Sequence, residues 1–377
     1  MFVAWRDLRF AKGRFVLMGT VIVLITVLVG LLSGLTAGLG QQNISAITGL
    51  RADKIAFGAP ADGQERSFSD SSVSERQWRQ WARTPGVKQA EPLGITTTRA
   101  ESGKRSAAIS AFGIRSGSGL GPEDTRVAAG SVVLSQTAAE ELGDAKSGSR
   151  VTIAGRHLSV AAVAGDAFYS HTPVIWTSLA DWQQLGGGGG AGQGPSTGDG
   201  ERAGGDRATV IALSTGSGSA GTAEVSGTDT ELGTETVSRD DALSAIGSYT
   251  SENGSLQLMR GFLFVISALV IGAFFTVWTI QRSADVAVLK ALGASTPYLL
   301  RDALGQAVVL LTLGTATGTG IASGVGALVS GTVPFVLDAG TVLLPAAVLI
   351  VLGAAGAALA IRRITAVDPL TALGSAR

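Results

Sequence analysis

Glu252 and Met259 are the residues of this sequence whose types and spacing best suit ligand chemistry. They are seven positions apart, and since this is about two helical turns, a helix would place the carboxylate and the thioether on one face. Tyr249 and Phe262 extend this region on either side. Oxygen and thioether ligands beside aromatic rings suit a flat, apolar metal chelate such as haem. The four residues are therefore a candidate substrate-binding site, with Glu252 and Met259 as candidate ligands of haem iron.

Simpler interpretations of the same residues remain open at this point. Glu252 could interact with Arg260 or be solvated at the start of a helix, and Met259 could serve only in packing. Gly254 lies between the two candidate ligands and could break the helix, in which case they would not share a face.

The two histidines are alternative ligands, because histidine is a common partner of haem iron. His157 lies in a predicted strand and His171 stands close to Pro173. For each we expect a structural role rather than a ligand role.

Helices in a membrane are the elements that would position these residues. Only 15% of the 377 residues are charged and 45% are hydrophobic, which is too apolar for a simple soluble enzyme. Four apolar segments have about the 20 residues that cross a bilayer, at 15–37, 258–280, 303–329 and 342–361. The first is too long for a cleaved signal peptide. The absence of cysteine excludes disulfides, thiolate metal sites and cysteine nucleophiles.

Charge asymmetry orients these spans. Basic residues cluster before the first span, after the second and after the fourth: Arg6, Arg9, Lys12 and Arg14, then Arg282, Lys290 and Arg301, then Arg362, Arg363 and Arg377. The positive-inside tendency places all three clusters, and both termini, in the cytoplasm. The predicted fold is a membrane protein of four transmembrane helices with a large extracytoplasmic domain between the first and second.

Local signals in the outer domain predict a mixed α/β structure. Val132 to Leu134 is a predicted strand, Ser135 a helix cap and Gly143 a helix end. Ala154-Gly155 would connect two strands as a hairpin. The segment 186–207 is rich in glycine, cannot bury enough apolar surface to fold and is predicted to be a flexible insertion.

Small residues recur every four positions in the first and third spans. The set comprises Gly30, Gly34 and Gly38, Gly314 with Gly318, and Gly320 with Gly324. Such spacing is typical of closely packed membrane helices, either within one chain or between two chains.

The segment from Arg282 to Ser295 is a short charged-and-apolar helix between two spans. Gly293 can take the left-handed conformation that ends a helix, and Thr296-Pro297 can begin the next. The sequence has no G-x-x-x-x-G-K-[ST] motif to bind the phosphates of a nucleotide. The spans also lack the central ionisable groups that ion-coupled transporters generally use. We therefore expect a partner to supply the energy.

The order of elements and two cytoplasmic motifs resemble the FtsX/MacB-type permeases of ABC transporters. The motifs are R-x-x-D-x-x-x-L-K-A-L-G-A-S after the second span and Val367-Asp368-Pro369-Leu370-Thr371-Ala372-Leu373 near the C-terminus. The opening Arg6-Asp7-Leu8-Arg9-Phe10 and the stretch leading into the second span resemble the Hrt-type haem-exporting branch. The resemblance assigns Arg282, Asp285, Lys290 and Gly293 to contact with an ATPase.

The resemblance implies a non-catalytic permease subunit that exports haem, driven mechanically by an ABC ATPase subunit and working with a second copy of itself in membrane lipid. Haem would be the transported substrate; we expect no permanent cofactor and no nucleic-acid partner. The alternatives are export of a lipid, lipoprotein or amphipathic peptide, and an FtsX-like transmitter that regulates a cell-wall hydrolase.

The predicted segments are an amphipathic cytoplasmic helix at 1–14, a first transmembrane helix at 15–37, an extracytoplasmic MacB-like domain at 38–257, a second transmembrane helix at 258–280, a coupling segment at 281–300, the third and fourth transmembrane helices at 301–361 and a cytoplasmic tail at 362–377.

Overall fold

The structure is a computed structural model that describes residues 12–122, 126–186, 206–215, 222–281, 288, 293–329 and 333–365. It divides into a membrane unit, Met1–Leu39 with Gly254–Arg377, and an outer unit, Gly40–Asn253.

The helices are α1 (Lys12–Thr48), α2 (Glu75–Trp81), α3 (Gln136–Glu141), α4 (Leu179–Gln184), α5 (Thr222–Leu232), α6 (Tyr249–Gln281), α7 (Thr296–Val329) and α8 (Ala339–Thr365). The strands are β1 (Lys54–Gly58), β2 (Val73–Ser74), β3 (Val87–Ser102), β4 (Arg105–Ile114), β5 (Ser131–Leu134), β6 (Arg150–Ile153), β7 (Arg156–Val163), β8 (Phe168–Tyr169), β9 (Thr172–Ser178), β10 (Arg207–Ala208), β11 (Val210–Thr215) and β12 (Thr234–Ser238).

Four of the described helices are long and apolar enough to cross a membrane, which confirms the predicted number. The candidate spans are Val16–Thr48, Tyr249–Gln281, Pro297–Val329 and Ala339–Ala360. Helix α1 continues past 37, the predicted end of the first span, to Thr48, and α6 begins at Tyr249, before the predicted start at 258.

The core of the membrane unit joins residues from all four of these helices. Met18 and Ile22 of α1 contact a cluster that includes Phe275 of α6, Leu311 of α7 and Ala357 of α8. Small residues allow these helices to pack closely, because a Cβ added at Gly353 would lie only 2.6 Å from the Leu311 side chain.

The close helix contacts predicted for the glycines of the first and third spans occur, at two positions, between these two helices of one chain. A Cβ at Gly318 would lie 2.6 Å from Thr26 Cβ, and a Cβ at Gly30 would lie 2.9 Å from Ala322 Cβ. A Cβ at Gly320 or Gly324 would meet nothing within 4 Å. For Gly30 and Gly318, the contact with the neighbouring helix therefore lies within one chain. Gly320 and Gly324 make no such contact.

The outer unit contains a ten-stranded mixed sheet in the order β12-β1-β11-β3-β4-β9-β5-β7-β6, with β8 paired to β9. The pairs β4/β9 and β5/β7 are parallel and the other neighbouring pairs are antiparallel. Strand β3 also pairs with β6, with Ala100 opposite Ile153. This pairing joins the first and last strands of the series β3-β4-β9-β5-β7-β6. The α/β character of the domain is confirmed.

Helix α4 packs on this sheet through Trp182. This side chain is 1% exposed and lies over Gly94 of β3 and Gly113 of β4, which are paired residues of adjacent strands. A Cβ at Gly94 would lie 2.3 Å from Trp182 Cδ2. The two glycines therefore provide the flat surface on which the indole packs.

The local predictions for the middle of the outer domain are confirmed. Ser135 caps α3 by accepting a hydrogen bond from the Ala138 N–H, and Gly143 follows the helix with φ of +84°. Strands β6 and β7 form the expected hairpin, in which Ala154 and Gly155 have φ of +46° and +80°. These positive φ values are typical of a two-residue type I′ turn.

The predicted C-terminal end of the flexible insertion, at residue 207, is wrong. Arg207, which the composition assigned to the flexible segment, lies in β10, where it pairs with Ser74 of β2. Pairing with a strand distant in sequence orders this residue despite its glycine-rich neighbours. Residues 187–205 of the insertion lie outside the described residues.

Candidate functional site

Glu252 lies in the first turn of α6, and this helix is continuous through Gly254 from Tyr249 to Gln281. The alternative in which Gly254 breaks the helix is therefore wrong. A glycine within a helix costs about 1 kcal/mol relative to alanine, which a helix of this length and apolarity can tolerate.

Within the outer unit, the Glu252 carboxylate forms its side-chain contacts through one oxygen. Its Oε2 atom lies 2.7 Å from His171 Nε2 and 3.1 Å from Asn43 Nδ2. Because a carboxylate only accepts hydrogen bonds, His171 must carry a proton on Nε2 to form this contact. Arg260 packs elsewhere, with its guanidinium carbon 5.8 Å from the ring centroid of Phe264. The partners of Glu252 are thus His171 and Asn43, and the predicted alternative of an Arg260 partner is wrong. The carboxylate is still 44% exposed at the start of the helix, in agreement with the alternative of a solvated position.

The tip of the β8–β9 hairpin brings His171 to this position. Ser170 and His171 form its two-residue turn with φ of +49° and +61°. Their backbone N–H groups donate to the carbonyls of Asn43 and Gln42, each at 3.0 Å. The turn is therefore attached to α1 through its backbone, and its imidazole is available to bind Glu252.

Asn43 connects the three elements of the site. Its side chain donates to Glu252 and to the Ser248 hydroxyl at 3.2 Å, and its backbone carbonyl accepts from Ser170. Asn43 is 2% exposed, so these contacts satisfy an amide that would otherwise be costly to bury. We name Asn43, His171 and Glu252 the carboxylate cluster.

The other predicted site residues differ in their surroundings. Tyr249 is half-buried against an apolar core cluster of the outer unit. Met259 is 51% exposed and Phe262 is 60% exposed on α6. The thioether and the phenyl ring are therefore accessible to a ligand, a partner or lipid, whereas the Tyr249 ring is partly occupied in packing.

Two further residues have structural roles. His157 is paired across the β6–β7 hairpin, with Nδ1 at 2.9 Å from Thr152 Oγ1. Tyr169 is 7% exposed, and burial raises the pKa of its hydroxyl above the usual value. The phenol therefore stays neutral and is a poor anionic ligand.

The sequence did not identify Asn43 or Ser248 as site residues. Each is an ordinary polar residue close to the end of an apolar segment, and Asn43 is separated from Glu252 by 209 positions. No local pattern could have linked them.

Most of the predicted coupling segment lies outside the described residues, including Arg282, Asp285 and Lys290. Gly293 is described and has φ of +95°, and α7 begins at Thr296, as predicted. The C-terminal motif 367–373 and the amphipathic segment 1–11 also lie outside the described part of the chain. Within that part, no group of three or more histidine, aspartate or glutamate side chains could hold a metal ion.

A concave surface lies elsewhere in the outer unit, with a volume of about 460 Å³. Its lining includes Trp78, Arg79 and Arg115. Arg79 pairs with Glu75 at 2.5 Å, and Arg115 lies 3.8 Å from Glu91, so acidic neighbours offset the positive charge of both arginines. The cleft combines apolar walls with balanced charges.

Comparison with protein families identifies the class. The model of the MacB-like periplasmic core domain matches residues 15–220, and that of the FtsX-like permease C-terminal region matches residues 258–369. The chain therefore belongs to the FtsX/MacB-type permeases of ABC transporters. It is a membrane protein with a large extracytoplasmic domain, and its family implies an ATPase partner.

Individual relatives give a finer comparison. The hemin transport system permease protein HrtB of Staphylococcus haemolyticus is 26% identical over 386 residues, and that of Staphylococcus epidermidis ATCC 12228 is 22% identical over 393 residues. An uncharacterized ABC transporter permease of Mycobacterium bovis is 25% identical over 385 residues. Each alignment covers 99% of both chains. The crystal structure of the periplasmic region of MacB from Actinobacillus actinomycetemcomitans aligns with 52% of this chain and 94% of its own, at 11% identity and a TM-score of 0.36.

Proposed function

We propose that this chain is the permease subunit of an efflux transporter that exports haem, driven by a separate ATPase. The observation that carries the proposal is the position of Glu252 at the start of α6, where hydrogen bonds hold one of its carboxylate oxygens. Support comes from the full-length similarity to proteins named as hemin transport permeases. Haem is the transported substrate in this proposal, and the chain has no permanent cofactor.

The proposed ligands of the haem iron are Glu252 and Met259, two turns apart on one helix. Ferric iron accepts an anionic oxygen ligand, and a thioether is a known axial ligand of haem. Phe262 would contact the apolar macrocycle, and the half-buried Tyr249 would border the site from the outer unit. This arrangement would bind the substrate from the outer leaflet of the membrane.

Energy would reach this site through mechanical transmission. Two partner ATPases that close on ATP would bring together the coupling segments of two copies of the chain, through Arg282, Asp285, Lys290 and Gly293. Because α6 is one unbroken helix of 33 residues, it can carry this displacement from the cytoplasmic side to Glu252. The basic clusters favour cytoplasmic termini, and this orientation would put the coupling segment beside the ATPase.

The binding step is tested by titrating haemin into the purified permease–ATPase complex in lipid nanodiscs and following the absorbance of bound haem. The double variant Glu252→Ala with Met259→Ala is expected to lose this absorbance. The matched control is Glu140→Ala with Leu258→Ala, which removes an exposed carboxylate from α3 and an exposed apolar side chain from α6. Unchanged haemin binding in the Glu252/Met259 variant would refute the proposed site.

The cleft of about 460 Å³ favours a second candidate function, export of an amphipathic lipid or peptide that contacts the outer domain. Its apolar walls and balanced charges suit such a substrate. Stimulation of ATP hydrolysis separates the two functions: haemin should stimulate the complex in the first case and an amphipathic lipid or peptide in the second. An FtsX-like transmitter would respond to neither.

A further inference from the structure

We propose that His171 and Asn43 are positioning residues for haem capture, which hold Oε2 of Glu252 so that Oε1 is presented to the iron. This inference rests on the proposed haem site and assigns a role to two residues that do not themselves touch the substrate. Both side-chain contacts of the carboxylate fall on Oε2, and Oε1 receives no hydrogen bond from the described residues.

One of the two donors is buried, and the other is held through its backbone although its side chain is 35% exposed. Asn43 is 2% exposed and is fixed by Ser248, whereas the Glu252 side chain is 44% exposed. The backbone of His171 is attached to α1 by the Gln42 carbonyl at 3.0 Å. A partly exposed glutamate that would otherwise sample several rotamers is therefore restricted by two donors from two different elements.

This geometry has a consequence for metal binding. A carboxylate with one oxygen occupied by two N–H groups binds iron through the other oxygen alone, as an axial ligand of haem requires. It also loses less side-chain entropy on binding, because its orientation is already restricted. Outer hydrogen bonds of this kind typically change metal affinity by about 10- to 100-fold. Since Nε2 of His171 donates to Glu252, that nitrogen is not free to bind iron.

The test is an absorbance titration of the purified permease–ATPase complex with haemin. His171→Ala is expected to weaken haemin affinity by about 10- to 100-fold while the spectrum of the bound haem stays the same, because both iron ligands remain. His171→Gln restores an N–H donor and is expected to recover most of the affinity. His157→Ala is the matched control, since it removes the other histidine of the same domain and should change neither quantity.

The turn conformation requires its own control. His171 has φ of +61°, a region that alanine adopts with strain and asparagine more readily. His171→Asn should therefore keep the turn but lack the reach of the imidazole, and it should weaken haemin affinity as His171→Ala does. Asn43→Asp places a second carboxylate against Glu252 and should also weaken it.

Three results would overturn the inference. They are unchanged affinity in His171→Ala, full affinity in His171→Asn, and a changed spectrum of bound haem in His171→Ala, which would make His171 an iron ligand. Failure of the proposed haem site is distinguishable, because then Glu252→Ala itself would leave haemin binding unchanged.

Discussion

Replacing Gly318 by alanine should separate helices α1 and α7 of the membrane unit. The new Cβ would lie 2.6 Å from Thr26 Cβ and 2.8 Å from the carbonyl oxygen of Val23. Carbon atoms in ordinary contact are about 3.5 to 4.0 Å apart, so the helices must separate by about 1 Å. The Val23 oxygen belongs to the backbone of α1 and cannot rotate away. Overpacking of this kind costs about 1 to 3 kcal/mol.

Gly320 provides the matched control on the same helix. An added Cβ at Gly320 meets nothing within 4 Å. Both substitutions gain the same helix propensity of about 1 kcal/mol, so the difference between the variants isolates the overpacking cost. Gly318→Ala should therefore be less stable than Gly320→Ala by about 1 to 3 kcal/mol, or about 5- to 150-fold in the unfolding equilibrium.

The measurement is unfolding of the full chain in mixed micelles with increasing sodium dodecyl sulfate, followed by the fluorescence of tryptophans such as Trp278, which is buried in the membrane unit. Equal midpoints for the two variants would refute the packing of α1 against α7 through Gly318.

Two further predictions concern other parts of the chain. Gly94→Ala would place a Cβ 2.3 Å from Trp182 and should destabilise the outer unit by about 1 to 3 kcal/mol. Gly227→Ala, at an exposed position of α5 with open space around it, should not destabilise the outer unit. Thermal melting followed by near-ultraviolet circular dichroism measures both variants, and equal melting would contradict the packing of the indole. At the start of α8, hydrogen bonds from the backbone N–H and then the hydroxyl of Thr341 lower the pKa of Asp338. The stabilisation by this carboxylate is complete above the ordinary aspartate pKa of about 4 and is lost as the pH falls through the lowered pKa. Melting curves at pH 2.5 to 6 should therefore converge for wild type and Asp338→Asn at the acidic end, and a constant difference would exclude the pKa shift.

The parts of the fold that could be predicted are those in which one local segment determines its own structure. Four runs of apolar residues are long enough to span a bilayer whatever surrounds them. Ser135 and Gly143 delimit α3 because a hydroxyl cap and a left-handed glycine act on their immediate neighbours. Local sequence signals alone therefore sufficed for the number of membrane helices and for the position of α3.

Contacts between distant segments could not be predicted in this way. Arg207 pairs with Ser74 in a two-stranded sheet, although it follows a glycine-rich segment. The contact between Glu252 and His171 joins residues 81 positions apart, and the sequence indicates each only as a separate candidate ligand. Sequence supplied the two candidate residues, but only the folded hairpin brings the imidazole to the carboxylate.

The carboxylate cluster connects α1 with α6, since Asn43 belongs to α1 and Glu252 to α6. Each helix also contains a candidate membrane span. In the proposed mechanism, a displacement of α6 relative to α1 would therefore act directly on the hydrogen bonds that orient Glu252. These bonds are few and partly exposed, so each contributes only about 1 to 3 kcal/mol and can break and reform in every cycle. A ligand held by an unsupported carboxylate binds less tightly, so in this mechanism movement of a helix would release the substrate.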